Sequence, residues 1–345
     1  MNVSKKCEVR PPSPIGFLRS ERRDGCGGPG VPLAAVLAFV AVCLAADDMA
    51  RSLECPRSQP VRTKVVRNIY NTTIKALDQN PARRFVAAES VFFSRWWNEQ
   101  PDEVRKMVRD MVESGRLQFV GGGWVQNDEA VPHYTTIIDQ MTLGLRFLND
   151  TFGPQCGTPS VAWQADPFGH SVSQASLFAR MGFSSLMIGR ITFTLKDKWS
   201  QSHSLEFVWQ ADPQRQGKST RSGDGGHIFA WVPENTYVNP GHISFGSEYC
   251  MYSEESYEFQ DTRIPNLLLT YAERQTEMYT NDTVAMMSGG DLAFTRGDCR
   301  FQKQDAFITT ANRISQAMQQ RTPVYVVHST PACYIEVGRS LYSFL

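Results

Sequence analysis

Residues 160–190 read SVAWQADPFGHSVSQASLFARMGFSSLMIGR. Ser160 to Ala165 is an apolar run that delivers Asp166, and Pro167, Phe168 and Gly169 break it. Ser173 to Arg180 predicts a short helix closed by Gly182, and Ser185 to Ile188 a second strand running into Gly189 and Arg190. Strand, crossover helix and strand is the repeating unit of a parallel sheet. The alternation continues in both directions. Upstream lie a helix over Val61–Gln79, a strand over Arg84–Ala88 ending at Glu89, and a helix opened by Pro101 and Asp102. Val104, Met107, Val108, Met111 and Val112 form the apolar stripe of that helix, and Gly115 ends it. A short strand over Leu117–Val120 then meets Gly121, Gly122 and Gly123, and a helix through Ile137–Phe152 stops at Gly153 and Pro154. Downstream follow a helix over Asn266–Met278, strands over Thr283–Met287 and Val324–Val327, and a helix over Asp305–Met318 between them. Thr192 to Gln260 shows no sustained helical period and reads as long loops over one end of the domain. The expected fold class is α/β, a mostly parallel sheet flanked by helices.

The N-terminal sixty residues read differently. They are expected to be unstructured, apart from an apolar run, VPLAAVLAFVAVCLAA at 31–46, that suits the core of a signal peptide or signal anchor. The folded domain is expected to occupy 61–345. Sequons at Asn2, Asn71, Asn149 and Asn281 agree with a secretory route, though Asn2 precedes the apolar run and would not be modified if that run were a cleaved signal. Lys plus Arg and Asp plus Glu both number 35, so no general basic face for nucleic acid is expected. The eight cysteines contain no CxxC, which argues against a structural zinc–thiolate site and leaves one or two disulfides open.

Open α/β sheets place their sites outside the carboxyl ends of the strands. The polar residues there are Glu89, the WVQNDE run at 124–129, Asp166, Arg190 and Asp291. Asp166, at the end of an apolar strand, suits a nucleophile or metal ligand, and equally a helix cap or turn residue. Asp291 follows Gly289 and Gly290 and taken alone is an ordinary turn residue. Together the two suit the pair of carboxyls that a retaining glycosidase holds about 5 to 5.5 Å apart. Arg190 would orient or neutralise such a carboxylate, or simply lie at the surface. Asp128 and Glu129 would bind hydroxyls or accept hydrogen bonds from nearby loops. The six histidines form no HxH or HExxH pair, and His170 is expected to support or cap rather than to ligate. Gly121–Gly123 lack the GxGxxG spacing of a nucleotide site.

The segment WQADPFGHS (163–171) resembles the nucleophile region of glycoside hydrolase family 38, the class II α-mannosidases. FFSRWWNEQ (92–100), GRLQFVGGGWVQNDEA (115–130), DQMTLGLRFLNDTFG (139–153), QASLFARMGFSSLMIGR (174–190), MMSGGD (286–291) and STPACY (329–334) resemble its lysosomal branch in the same order. The resemblance implies an α/β catalytic domain that hydrolyses α-linked mannose of glycoproteins with retention, through a covalent mannosyl-enzyme and with Zn2+ as cofactor. It implies that Asp166 is the nucleophile and a zinc ligand, that Arg190 is an active-site arginine, and that Asp291 is the general acid/base. Mannose-bearing oligosaccharides or glycoproteins become the expected partners, and a lysosomal or secretory lumen the expected compartment. A homo-oligomer stays open.

The sequence departs from the family at its opening. Family members begin with a strand of the form HxHxDxGW, whereas residues 47–64 read DDMARSLECPRSQPVRTK and no histidine precedes His133. Two zinc ligands are therefore missing, and the family's later histidine ligand and C-terminal β domains have no counterpart here. His328 sits in its own STPACY match and does not replace that ligand. An open sheet edge or an exposed core face is expected where the motif is missing. The alternative function is accordingly an inactive or truncated family member with at most carbohydrate-binding ability.

Overall fold

The structure is a computed structural model, which describes residues 36–43, 59–212, 226–240, 263–279, 283–317 and 325–341. Strand β1 is Val36–Cys43 and helix α1 is Gln59–Gln79. Then come β2 (Phe85–Ala87), α2 (Ser90–Asn98), α3 (Asp102–Glu113), β3 (Leu117–Phe119), α4 (Tyr134–Cys156), β4 (Val161–Gln164), α5 (Val172–Arg180) and β5 (Ser185–Ile188). The chain continues through α6 (Phe193–Gln201), β6 (Glu206–Gln210), β7 (His227–Trp231), α7 (Arg263–Thr276), β8 (Thr283–Ser288), α8 (Gly297–Ala317), β9 (Tyr325–Ser329) and α9 (Pro331–Leu341).

The strands form two sheets. One has the order β3-β2-β1-β8, with β9 also on β1, and the other the order β4-β5-β7-β6. Every pairing is parallel except β6 with β7. The sheets meet where the Gly121 amide donates to the Val161 carbonyl at 2.8 Å, and Val86, Val120, Trp163, Leu186 and Phe229 share one apolar core. A second core gathers around α2, whose Phe92, Phe93, Trp96 and Trp97 are buried, with Phe93 touching six other aromatic rings.

Local signals explain most boundaries. Asp102 and Glu103 in the first turn of α3 complement the helix dipole, and Gly115 at φ 69 closes it. Ser171 caps α5 by accepting from the Ser173 amide, and Gly153 at φ 76 ends the regular part of α4.

Three expectations change. The stretch 1–60 is not unstructured throughout: Val36–Cys43, inside the apolar run, is a strand whose backbone pairs with β8 and β9 at its start and with β2 at its end. An apolar run suits a strand buried in a parallel sheet as well as it suits a signal core. No open edge therefore remains in that part of the sheet. The middle segment is also not all loop, because α6, β6 and β7 lie within it and β7 inserts between β5 and β6. The GDGG at 223–226 lies outside the described residues except for Gly226. Finally, α2 and α9 were not anticipated. Both are short, and aromatics on more than one side of α2 blur its period. Among the described residues no helix is long and apolar enough to cross a membrane.

Candidate active site

The register of β4 on β5 builds the centre of the site. Gln164 pairs with Ile188, and the Gly189 amide donates to the Gln164 carbonyl at 2.9 Å, so two residues further along Asp166 lies beside Arg190. Gly189 is required for this approach, because a Cβ there would lie 1.9 Å from the Ala165 carbonyl oxygen. The Arg190 Nε donates to Asp166 Oδ1. The carboxylate side chain is 11% exposed and the guanidinium side chain 41%. Burial opposes the charge on Arg190, but Asp166 and Tyr237 more than offset it, and its pKa is raised. The guanidinium also lies over the Phe168 ring, 5.4 Å from its centroid, and Phe168 is exposed.

Asp291 joins this centre through a residue that the sequence did not single out. The Tyr237 hydroxyl lies 3.4 Å from Asp166 Oδ1 and 3.2 Å from Asp291 Oδ1. One phenol proton cannot serve both acceptors fully, so it is shared. The two carboxylate oxygens can be no further apart than those two lengths together, a bound that admits the about 5 to 5.5 Å of a retaining pair. Burial, followed by Asp291 and Asp166, pushes the Tyr237 pKa up, so the hydroxyl stays protonated. Thr236 at φ 53 and Leu292 at φ 54 adjoin Tyr237 and Asp291. Such backbone is uncommon outside glycine and, for a β-branched residue, strained. The Lys196 ammonium donates to the Pro233 and Glu234 carbonyls at 2.8 and 2.5 Å and holds the loop that carries Tyr237. Its own burial lowers its pKa to about 8. A tyrosine in a segment without helical period left no signal to find it by.

Glu129 and His170 form a support beneath Arg190. His170 Nδ1 is 2.8 Å from Glu129 Oε1, and its Nε2 is 2.7 Å from the Arg190 carbonyl. The Ser171 amide donates to Glu129 Oε2 at 2.7 Å, which ties the loop after Asp166 to the turn after β3. A carbonyl only accepts, so His170 Nε2 carries a proton there. Burial works against the charged imidazole, while Glu129 and the Arg190 carbonyl outweigh it, and the His170 pKa is raised.

The remaining strand-end residues have local roles. Asp128 is exposed and accepts from the Ala130 and Val131 amides at 2.7 and 2.9 Å, which lowers its pKa. Glu89 is buried at φ 57 ahead of α2, with Oε1 3.4 Å from the Gln126 amide. Trp124 donates its amide to the Gln140 carbonyl at 3.0 Å. Gly121–Gly123 turn the chain against α4, where the Gly144 position approaches the Gly122 carbonyl. His328 Nε2 is bound to Asp305 Oδ1 at 2.8 Å, and Asp305 also pairs with Arg83.

The residues present do not fit zinc. Among the described residues no group of three His, Cys, Asp or Glu side chains could hold a metal ion. Asp166 Oδ1 already faces a guanidinium, and both His170 nitrogens are engaged. The expectation of zinc-assisted retaining hydrolysis is therefore corrected: the carboxylates are together, but the metal set that the family's chemistry requires is not.

Comparison with known proteins agrees with the fold. The model of the glycosyl hydrolases family 38 N-terminal domain matches residues 48–340. The lysosomal alpha-mannosidase of Homo sapiens is 39% identical over 277 residues, covering 78% of this chain and 26% of that protein. That of Dictyostelium discoideum is 32% identical over 274 residues, covering 79% and 26%. This chain thus spans about a quarter of the length of the curated relatives it matches. The crystal structure of an alpha-mannosidase from Enterococcus faecalis V583 superposes with a TM-score of 0.61 at 13% identity, covering 89% of this chain and 29% of that one.

Proposed function

Because the chain belongs to glycosyl hydrolase family 38 through its N-terminal domain, we propose that it is a mannoside-binding member that does not turn its ligand over. The observation that carries this is the Tyr237 hydroxyl spanning Asp166 and Asp291 in a site with no metal-ligand group among the described residues. Asp166 accepts a sugar hydroxyl beside its contact with the Arg190 guanidinium. Asp291, at the exposed rim, accepts a second hydroxyl, and Tyr237 bridges the two carboxylates. The Phe168 face supplies an apolar wall for sugar C–H groups.

The ligand is α-linked mannose of glycoprotein glycans. The lysosomal or other secretory lumen is its compartment. Similarity to lysosomal alpha-mannosidases supports that placement, as do the disulfide bonds that Cys156 and Cys299 enter.

Metal analysis of the purified chain, turnover of a chromogenic α-mannoside and calorimetric titration with mannose test the reading together. Expected are sub-stoichiometric zinc, no turnover and measurable binding that Asp166→Asn weakens. One zinc per chain with turnover would overturn it, and so would the absence of binding.

A further inference from the structure

Asp291 sits on a turn that needs outside restraint. Gly290 at φ 139 and Leu292 at φ 54 flank it, and a leucine in the left-handed region persists only where its surroundings hold it. The Ala293 amide closes the turn onto the Gly290 carbonyl at 3.2 Å. Tyr237, whose hydroxyl meets Asp291, comes from a different segment, the chain that follows β7. Lys196 holds the start of that segment. The meeting of the two side chains therefore depends on what joins the segment to the turn.

Arg300, near the start of α8, reaches both. Its Nη1 donates to the Ala293 carbonyl at 3.4 Å, and its Nη2 lies 3.5 Å from the Gly289 carbonyl, so the guanidinium touches the turn on both sides of Asp291. The same Nη2 donates to Asn239 Oδ1 at 2.8 Å, and Asn239 follows Tyr237 by two residues. The guanidinium stands over the buried Phe294 ring, 5.0 Å from its centroid, which limits how the fork can turn. One helical turn further on, Gln304 Nε2 donates to Ser288 Oγ at 2.6 Å and anchors the end of β8 to the same helix. A planar fork with N–H groups on several sides serves acceptors on two segments at once, which a point donor such as lysine does less well.

We propose that Arg300 is a positioning residue of the site: by gripping the Asp291 turn and the Tyr237 segment together, it sets the contact between the Tyr237 hydroxyl and the Asp291 carboxylate. It acts through those two residues and not on the ligand. Its effect on mannose rests on the mannoside-binding reading above, whereas its effect on the Tyr237–Asp291 contact does not.

Arg300→Met is made in the full chain and in its Tyr237→Phe variant, and the four proteins are compared by melting temperature and by calorimetric titration with mannose. Expected is a loss of affinity of about fivefold or more from Arg300→Met in the wild-type chain. In the Tyr237→Phe chain, where no phenol remains to be placed, the loss is expected to stay under about twofold. The drop in melting temperature is expected to shrink likewise, and a smaller loss in either readout supports the placement. Asn239→Ala, which removes only the 2.8 Å contact, takes the place of Arg300→Met if that variant folds poorly. Equal losses in both backgrounds, in every readout that the wild-type chain gives, would mean that Arg300 merely braces the fold, and the positioning role would be lost. A smaller melting drop in the Tyr237→Phe chain, with no mannose bound by wild type, would end the mannoside reading and leave the positioning role standing.

Discussion

At the scale of single residues, the site depends on a contact with no room for a side chain. Gly189 lies against the Ala165 carbonyl, and that approach sets Arg190 beside Asp166. Gly189→Ala is expected to cost about 1–3 kcal/mol, because the strand ends must separate. Urea unfolding checks the stability, and mannose titration checks that binding falls with it. An alanine variant as stable as wild type would show that β4 and β5 are not as close as described. Asp166 and Arg190 were legible in the sequence because each closes an apolar run. Glu129 and His170 were legible as polar neighbours, though not as partners of each other. Tyr237 was not legible, since nothing in its own segment distinguishes it from other aromatics.

At the scale of elements, the strand in the N-terminal apolar run is the largest departure from expectation. β1 pairs with β2, β8 and β9. Proline within it would remove a ladder hydrogen bond from a strand with neighbours on both sides. Val40→Pro is expected to abolish the cooperative unfolding transition seen by far-ultraviolet circular dichroism. A Val40→Pro protein that unfolds like wild type, or a mature protein lacking residues 36–43, would contradict the strand. Hydrophobicity alone could not separate a signal core from a buried strand, because both need a run without charge. The antiparallel β6 and the insertion of β7 were invisible for a related reason: sheet order is not written in local period.

At the scale of the whole molecule, two half-buried histidines give stability opposite dependences on pH. The His170 pKa is raised, so its contribution is full below the ordinary value of 6.5 and fades as pH rises through the higher folded value. The His328 pKa is lowered, by burial first, with Arg83 and Arg84 adding to it against the pull of Asp305. The folded state resists protonating His328, so that contribution is lost as pH falls below 6.5. His170→Gln is therefore expected to lose more stability at about pH 5 than at about pH 8, and His328→Gln to lose less at the acid end. Thermal melts of the two variants against wild type across that range check the signs. Parallel shifts in both variants would contradict the two environments.

The sequence by itself determined the alternation of strands and helices, the family resemblance, and the strand ends that bear Asp166, Arg190 and Asp291. Those features depend on the spacing of neighbouring residues and on glycines that turn the chain, so they are readable in one dimension. The tertiary structure decided that residues 166, 237 and 291 meet, that the N-terminal apolar run enters the sheet, and that no third ligand approaches Asp166 among the described residues. Such meetings come from strand order and from closure across distant segments, which local hydrophobic period does not encode.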